Sequence, residues 1–342
     1  MKAQVYAHIA PRIHALRGRL VKPDFLRSLI ELPSWSDFLR AVRDTRFGRH
    51  IREKMTPIEL EKIIYKTFLE DVKTLYRIAP KEAKPIAEYY RYLVLKDDLT
   101  TVAVKLQEGE QIRKEDFMLV DDPLISRLYE ELPMTPSMQR FLEIIRHEPV
   151  YKAVEVALKI YQETGEYSLF ISSISLELLR MVNKVIDMLD TEGRRYCRKV
   201  ICFRNDYTVT SFIINGHIAG MGREKIAFIV DPHLLCHIDV STANSMIEVE
   251  SAEHAVSLLK QTRYSQAVAG EVFETLDRFR QMVRSLAWRA ANTVINGSPF
   301  HAGYILAGLE ASLIEAEDMI SMATGKYLGL EKDEILRTIA IL

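Results

Sequence analysis

Cysteine and long apolar runs are both scarce in this chain. The 342 residues include three cysteines, a small and odd number that excludes a scaffold built on several disulfides and favours a reducing, cytoplasmic setting. A membrane-spanning helix needs about 20 predominantly apolar residues, and no run of that kind occurs. The first 20 residues also lack the apolar segment and cleavage site of a signal peptide. The sequence therefore predicts neither a membrane span nor a secreted, disulfide-rich protein.

An excess of charge of one sign is missing too, and so are the common catalytic motifs. The net charge is −1, which gives no general attraction to nucleic acid or anionic lipid. The sequence contains no P-loop, no Rossmann glycine fingerprint and no Ser/His/Asp motif order. We therefore expect no catalytic residue, no bound cofactor and no nucleic-acid partner.

Glycine and proline are few, 14 and 12, as expected for long helices joined by few turns. Residues 56–59 (TPIE) form a capping box, and Thr135-Pro136 repeats the arrangement of a cap followed by proline. Ser298-Pro299 does the same and predicts a helix that closes at Gly325 or Gly329. The β-branched stretches 199–203 and 208–214 lack hairpin signals, and we interpret them as parts of a buried helix. The pattern predicts an all-α fold.

The sequence also repeats itself. Three segments align without a gap, at residues 97–117, 206–226 and 315–335. They begin with Asp97, Asp206 and Glu315, which are separated by 109 residues and then by 109 again. We expect Glu315 to cap or pair inside its own domain rather than to carry an ion.

A second block recurs at residues 38–51, 141–154 and 255–268, each time as an amphipathic helix, a basic residue and an aromatic or apolar stop. Thr45-Arg46-Phe47 returns as Thr262-Arg263-Tyr264. Self-similarity at a fixed period indicates repeated structural units. The sequence therefore predicts three similar helical domains, at residues 1–119, 120–229 and 230–342.

The order of these blocks resembles the C subunit of archaeal and bacterial vacuolar-type ATPases, which is called the d subunit in eukaryotes. Residues 6–20 look like that family's opening helix, and TRFGRHI at 45–51 resembles its Thr-x-(Tyr/Phe)-Gly signature. YYRYLVLKDDLTTV at 89–102 resembles its DxxNL helix, with Asp97 as the matching acid, and residues 298–330 resemble its closing helix. The resemblance covers nearly the whole chain.

The resemblance implies a mechanical role. Family members consist of three similar helical domains in a funnel about a pseudo-threefold axis. The narrow face rests on the proteolipid ring, and the opening receives the tip of the shaft made of subunits D and F. We therefore expect a non-catalytic central-stalk adaptor that transmits torque for proton or sodium transport. It would lie on the cytoplasmic face and touch the membrane only through the ring.

Basic residues at the connecting turns of the repeats are the predicted partner contacts. They would face acidic groups on the shaft or the ring, where charges at an interface rim tune orientation and association rate. The five residues are Arg43, Arg46, Arg146, Lys260 and Arg263.

Two other functions stay open. A generic helical scaffold would bind other proteins through its grooves without belonging to a rotary motor. His233, Cys236 and His237 are spaced i, i+3 and i+4 and would share one face of a helix, which would suit zinc in an enzyme. No second Cys/His cluster completes such a ligand set, so we interpret the segment as a packed helix and expect no metal.

Overall fold

The computed structural model describes residues 6–342. Every regular element in that range is a helix, and no strand occurs in it, so the predicted all-α class is confirmed. The α-helices are α1 (Ala10–Arg19), α2 (Pro23–Glu31), α3 (Trp35–Val42), α4 (Pro57–Ile78), α5 (Lys84–Glu108), α6 (Pro123–Glu131), α7 (Met138–Ile145), α8 (Tyr151–Thr164), α9 (Tyr167–Met188), α10 (Thr191–Ile218), α11 (Arg223–Ile229), α12 (Val240–Glu248), α13 (Ala252–Ser257), α14 (Val272–Ile295), α15 (Gly303–Leu328) and α16 (Lys332–Leu336).

The predicted capping box forms at the start of α4. The Thr56 hydroxyl accepts the Glu59 amide at 3.2 Å, and the Glu59 carboxylate accepts the Thr56 amide at 2.8 Å. The stretches 199–203 and 208–214 lie within α10, which confirms that they are helical.

Two predicted helix starts were wrong. Helix α7 begins after Ser137 rather than after Thr135, because the Ser137 hydroxyl accepts the Arg140 amide at 3.1 Å and supplies the cap. Helix α15 begins at Gly303, because residues 298–302 are not helical, and the His301 ring among them stacks on Tyr196 with centroids 3.9 Å apart.

The described chain forms two compact units, each assembled from separate stretches. Unit 1 contains residues 6–88, 184–207 and 264–342, and unit 2 contains residues 89–183 and 208–263. Neither unit coincides with a predicted domain, and the division at residues 119 and 229 stays a prediction.

Helix α15 is the centre of unit 1. Most of its residues are buried, and α1, α3, α4, α14 and α16 pack against it. Its start requires glycine, because a Cβ at Gly303 would lie 2.6 Å from the Cβ of Tyr196. It ends as predicted at Gly329, which has a left-handed φ of 70°. Within residues 6–342 no helix, α15 included, is long and apolar enough to cross a membrane.

Unit 2 is built around an apolar and aromatic interior. It holds the larger part of α5 and α9, the end of α10, and the shorter helices α6–α8 and α11–α13. Its largest fully buried side chains are Tyr89, Tyr90, Tyr92, Phe117, Phe141, Phe170 and Phe212. Large apolar and aromatic side chains of this kind are those most often found in protein interiors.

Candidate functional site

Four acidic side chains of α15 point into the interior of unit 1. Glu310, Glu315 and Asp318 are at most 1% exposed, and the side chain of Glu317 is 17% exposed. A buried carboxylate costs several kcal/mol unless a cation or hydrogen-bond donors compensate it. Two groups of arginines provide that compensation, and they define the two charged clusters of the helix.

The first group is the Arg46 cluster, which consists of Arg46, Asp71, Ser312 and Glu315. The Arg46 guanidinium donates to Asp71, lies 2.6 Å from Glu315 Oε2 and donates to the Ser312 hydroxyl at 2.9 Å. Ser312 in turn donates to Asp71 at 2.8 Å. The Arg46 side chain is only 5% exposed. The cluster therefore joins the turn after α3 to α4 and α15.

The local sequence explains why this turn directs Arg46 inward. Thr45 closes it by donating to the Val42 carbonyl at 2.7 Å and accepting the Phe47 amide at 3.3 Å. The chain then passes so close to itself that a Cβ at Gly48 would lie 1.9 Å from the carbonyl oxygen of Arg43. Only glycine fits there, and Phe47 is fully buried beside it. The TRFG motif is thus a structural turn that places the guanidinium.

Glu315 also holds the chain that follows α1. Its Oε1 accepts the Val21 amide at 2.5 Å. Burial raises the pKa of Glu315 to about 7, although Arg46 and the Val21 amide oppose the shift. Glu315 is paired as predicted, but not inside its predicted domain at residues 230–342. Its partners, Arg46 and Val21, both lie in the predicted domain 1–119.

The second group is the Arg284 cluster, which consists of Arg204, Arg284, Glu310, Glu317 and Asp318. Arg204 of α10 donates to both carboxylate oxygens of Glu310 at 2.9 and 2.8 Å. Arg284 of α14 donates to Glu317 at 2.7 Å and to Asp318 at 2.6 Å. These pairs join α10 and α14 to α15.

Asp318 and Glu317 are neighbours in this cluster, but their pKa values are shifted in opposite directions. Burial raises the pKa of Asp318 to about 6, against the attraction of Arg284. Burial acts to raise the pKa of Glu317 as well, but Arg284, Arg204 and Arg280 together outweigh it and lower that pKa to about 2. Glu317 faces three arginines and keeps some exposure to solvent, whereas the fully buried Asp318 faces one close arginine, and the directions of the two pKa shifts follow this difference.

Asp318 also anchors the last described residues. Its carboxylate accepts the amides of Ala340 at 3.0 Å and Ile341 at 2.9 Å. Arg284 donates to the Thr338 carbonyl at 3.1 Å. The segment 338–341 is therefore held against α14 and α15 by the same cluster.

Each repeated turn contacts a long helix through a polar side chain. The first turn holds Glu315, as described above. The third turn, at residues 262–264, contacts α10, because the Tyr264 hydroxyl donates to the buried Asp206 at 2.5 Å. At the second turn Glu148 accepts the Tyr92 hydroxyl of α5 at 2.7 Å. These recurring contacts are compatible with three related units.

The structure corrects one member of the repeat. Asp97 is exposed, whereas Asp98 is buried and accepts the amides of Met118 and Leu119 at 2.6 and 2.9 Å. Asp98 lies four residues after Val94 and four before Val102, both buried, which puts it on the buried face of α5. Helical periodicity would have identified Asp98, but the gapless alignment favoured its neighbour.

The predicted partner residues have two different environments. Arg46 lies inside unit 1 in its cluster with Asp71 and Glu315, as described. The other four are exposed, at Arg43, Arg146, Lys260 and Arg263. That these residues contact partner subunits stays a prediction.

The possible zinc segment is not a helix, so the prediction of a packed helix at 233–239 was wrong. Only Pro232–Leu234 form a short 3-10 turn, and residues 236–238 are bends. The next helix starts at Val240, because the carboxylate of Asp239 accepts the Thr242 amide at 2.8 Å and caps it. Residues 6–342 hold no group of three or more His, Cys, Asp or Glu side chains arranged for a metal ion.

The described part of the chain is an all-α protein whose long helix α15 carries buried carboxylates paired with arginines. The family model described as ATP synthase (C/AC39) subunit matches residues 9–338, and the chain belongs to this family of rotary ATPase subunits. This confirms the resemblance inferred from the sequence.

Two curated relatives are both named as the C subunit of an A-type ATP synthase. The protein of Methanocaldococcus jannaschii is 20% identical over 96% of this chain and 85% of the relative. The protein of Pyrococcus abyssi is 21% identical over 80% of this chain and 72% of the relative. The similarity therefore extends along most of both chains.

Proposed function

We propose that this chain is the non-catalytic central-stalk adaptor of a rotary V/A-type ATPase. It links the shaft of subunits D and F to the proteolipid ring and transmits torque for coupled proton or sodium transport. The observation that carries the proposal is the family match over residues 9–338. As an adaptor it lies on the cytoplasmic face and touches the membrane only through the ring.

The packing of unit 1 supports a part that transmits torque. A torque-bearing subunit must resist deformation, and densely packed interiors are poorly compressible. Two ion-pair clusters bind α4, α10, α14 and the turn after α3 to the central α15. Buried arginines with bidentate or shared partners fix orientation as well as distance.

The contact residues are proposed to be the exposed members of the predicted set. Arg43, Arg146, Lys260 and Arg263 are accessible to acidic groups on a partner. Arg46 contributes indirectly, because its pairing inside the fold fixes the turn that carries Arg43. Interface charges of this kind steer association and disfavour wrong partners.

Reconstitution with and without this chain tests the proposal. The chain is co-expressed with subunits D and F and mixed with the proteolipid ring in detergent, and we expect it to co-purify with both. In vesicles assembled without it, the head should still hydrolyse ATP while ATP-driven ion transport is lost. A chain that binds neither the shaft nor the ring is the generic scaffold instead.

A calorimetric titration tests the non-catalytic assignment. We expect no heat of binding when Mg-ATP is added to the purified chain, because its sequence has no phosphate-binding loop. Low-micromolar binding or measurable hydrolysis by the isolated chain would contradict the assignment.

A further inference from the structure

Glu315 is the point at which two separate stretches of unit 1 attach to α15. Its Oε1 accepts the amide of Val21, in the chain that follows α1. Its Oε2 lies 2.6 Å from the guanidinium of Arg46, in the turn after α3. If these stretches move away from α15, both contacts are lost and the carboxylate meets water.

The charges around Glu315 do not balance. Glu315 and Asp71 share one buried guanidinium, that of Arg46. A second cation, Arg19, lies 3.5 Å from Asp71 Oδ1, but its side chain is 62% exposed. Two carboxylates that share a single cation in a region of low dielectric constant favour the uptake of a proton by one of them.

Geometry indicates which carboxylate takes that proton. Glu315 Oε2 is buried and accepts no well-aligned hydrogen bond from the described residues, despite its short distance to Arg46. Asp71, in contrast, accepts from both Arg46 and the Ser312 hydroxyl. Burial also raises the pKa of Glu315 to about 7.

We propose that Glu315 is a proton-binding site that links pH near neutrality to the docking of residues 19–21 and of the turn at 43–48 on α15. The docked arrangement has the higher proton affinity, because it buries the carboxylate. A bound proton therefore stabilises docking, and ionisation of Glu315 at higher pH makes undocking more frequent. The device does not depend on the proposed function.

Other charges near α15 are engaged elsewhere. Arg204 of α10 is paired with Glu310, and Arg284 of α14 is paired with Glu317 and Asp318. Among the described residues, the charged groups that face Glu315 are therefore Arg46 from the turn and Asp71 from α4, with Arg19 beyond Asp71 at the end of α1.

Amide hydrogen exchange of the full chain tests this link at the Val21 amide. Protection factors are measured between pH 5 and pH 8 and corrected for the intrinsic pH dependence of exchange. A carboxyl whose pKa is about 7 when docked and 4.5 when exposed should lower protection by roughly 70-fold across that range. Flat protection at Val21 in the wild-type chain overturns the proposal.

Three isosteric variants show whether Glu315 is the group that makes protection at Val21 depend on pH. Glu315→Gln should remove the pH dependence and keep the high protection of the protonated form. Asp71→Asn should shift the transition to lower pH, because Arg46 is then left to Glu315 alone. Glu310→Gln changes another buried carboxylate of α15 and should keep the wild-type slope. A wild-type slope in Glu315→Gln, or an unmoved midpoint in Asp71→Asn, also overturns the proposal, after circular dichroism has confirmed each fold.

Discussion

Glu315 and Glu317 stand two residues apart on one helix, and their pKa values are shifted in opposite directions. Within residues 6–342, Glu315 shares one buried arginine, Arg46, with Asp71, and burial raises its pKa to about 7. Burial works the same way on Glu317, but three arginines overcome it and lower its pKa to about 2. Burial by itself therefore does not decide the charge of a carboxylate. The cations that face it and its remaining exposure to solvent also contribute.

The same comparison explains why the clusters differ in what they do. In the Arg284 cluster Glu317 stays ionised across the physiological range, so its pairs with Arg204 and Arg284 link α10 and α14 to α15 at every pH in that range. In the Arg46 cluster the charge of Glu315 changes near neutral pH. The pairs of Glu317 are therefore constant across that range, whereas Glu315 and, with its pKa of about 6, Asp318 respond to protons.

The largest effect should come from removal of Arg284. Arg284→Leu leaves Glu317 and Asp318 without their closest cation and frees the Thr338 carbonyl. Breaking a buried pair in this way costs about 3–5 kcal/mol of unfolding free energy. Urea denaturation at pH 7 measures the loss.

The matched control for this prediction lies on the same helix. Arg278 pairs with Glu274 at the surface, where both side chains are about half exposed, and Arg278→Leu should cost less than about 1 kcal/mol. Equal losses in the two variants would show that the Arg284 cluster contributes no more than a surface pair.

Removal of Arg46 should cost less, and its cost should depend on pH. Arg46→Leu leaves Glu315 buried, but this carboxylate can take up a proton, and Asp71 keeps the nearby Arg19. We expect a loss of about 2–3 kcal/mol at pH 8 and about 1 kcal/mol at pH 5. Urea denaturation at both pH values measures it. A loss that is the same at pH 5 and pH 8 would remove the distinction between the clusters.

Amide substitutions of the two glutamates should change stability in opposite directions at pH 8. Glu315 has a raised pKa, so its contribution to stability falls as pH rises from 4.5 to about 7; Glu315→Gln should therefore gain about 1–3 kcal/mol. Glu317 has a lowered pKa, so its contribution to stability is fully present above pH 4.5 and is lost as the pH falls toward about 2. Glu317→Gln should lose about 1–3 kcal/mol.

Thermal and urea unfolding at pH 5 and pH 8 check both signs. The gain from Glu315→Gln should shrink at pH 5, where the wild-type carboxyl is already protonated, while the loss from Glu317→Gln should persist. Two losses at pH 8 would contradict the view that the facing cations contribute to the charge of each carboxylate.

Much of the fold could be predicted from the sequence because its signals are local. The capping box at Thr56, the closing Gly329 and the helical nature of 199–203 all follow from neighbouring residues. The wrong helix starts at Thr135 and Ser298 show the limit of such signals. Ser137 caps the first of these helices instead of Thr135. Residues 298–302 are not helical, and the His301 ring among them stacks on Tyr196.

The charged clusters could be predicted only in part. The repeat identified Glu315 as a special acid and Arg46 as a special cation, but not that they meet, because no local pattern relates residues so far apart in sequence. Arg284 carried no motif at all and is recognised only by its packing against Glu317 and Asp318. Tertiary contacts decide such pairs.

The smallest effect on stability is expected at Arg43, which shares a turn with Arg46 but is exposed. A surface cation without a buried partner contributes little to folding, so Arg43→Glu should change the unfolding free energy by less than about 0.5 kcal/mol. Its role under the proposed function lies in assembly. Reversal of Arg43, Lys260 and Arg263 together should weaken binding to acidic groups of the shaft or ring by several kcal/mol through like-charge repulsion.

The triple variant is therefore tested in reconstituted vesicles, with ATP hydrolysis and ATP-driven ion transport measured side by side. We expect hydrolysis to persist and transport to fall, because the head is detached from the ring while the Arg46 cluster keeps the turn folded. Exchange protection at Val21 serves as the control that the interior is unchanged. Normal transport in the triple variant would place the contact surface elsewhere. Lost transport together with altered protection at Val21 would show that the exposed Arg43 and the buried Arg46 do not act separately.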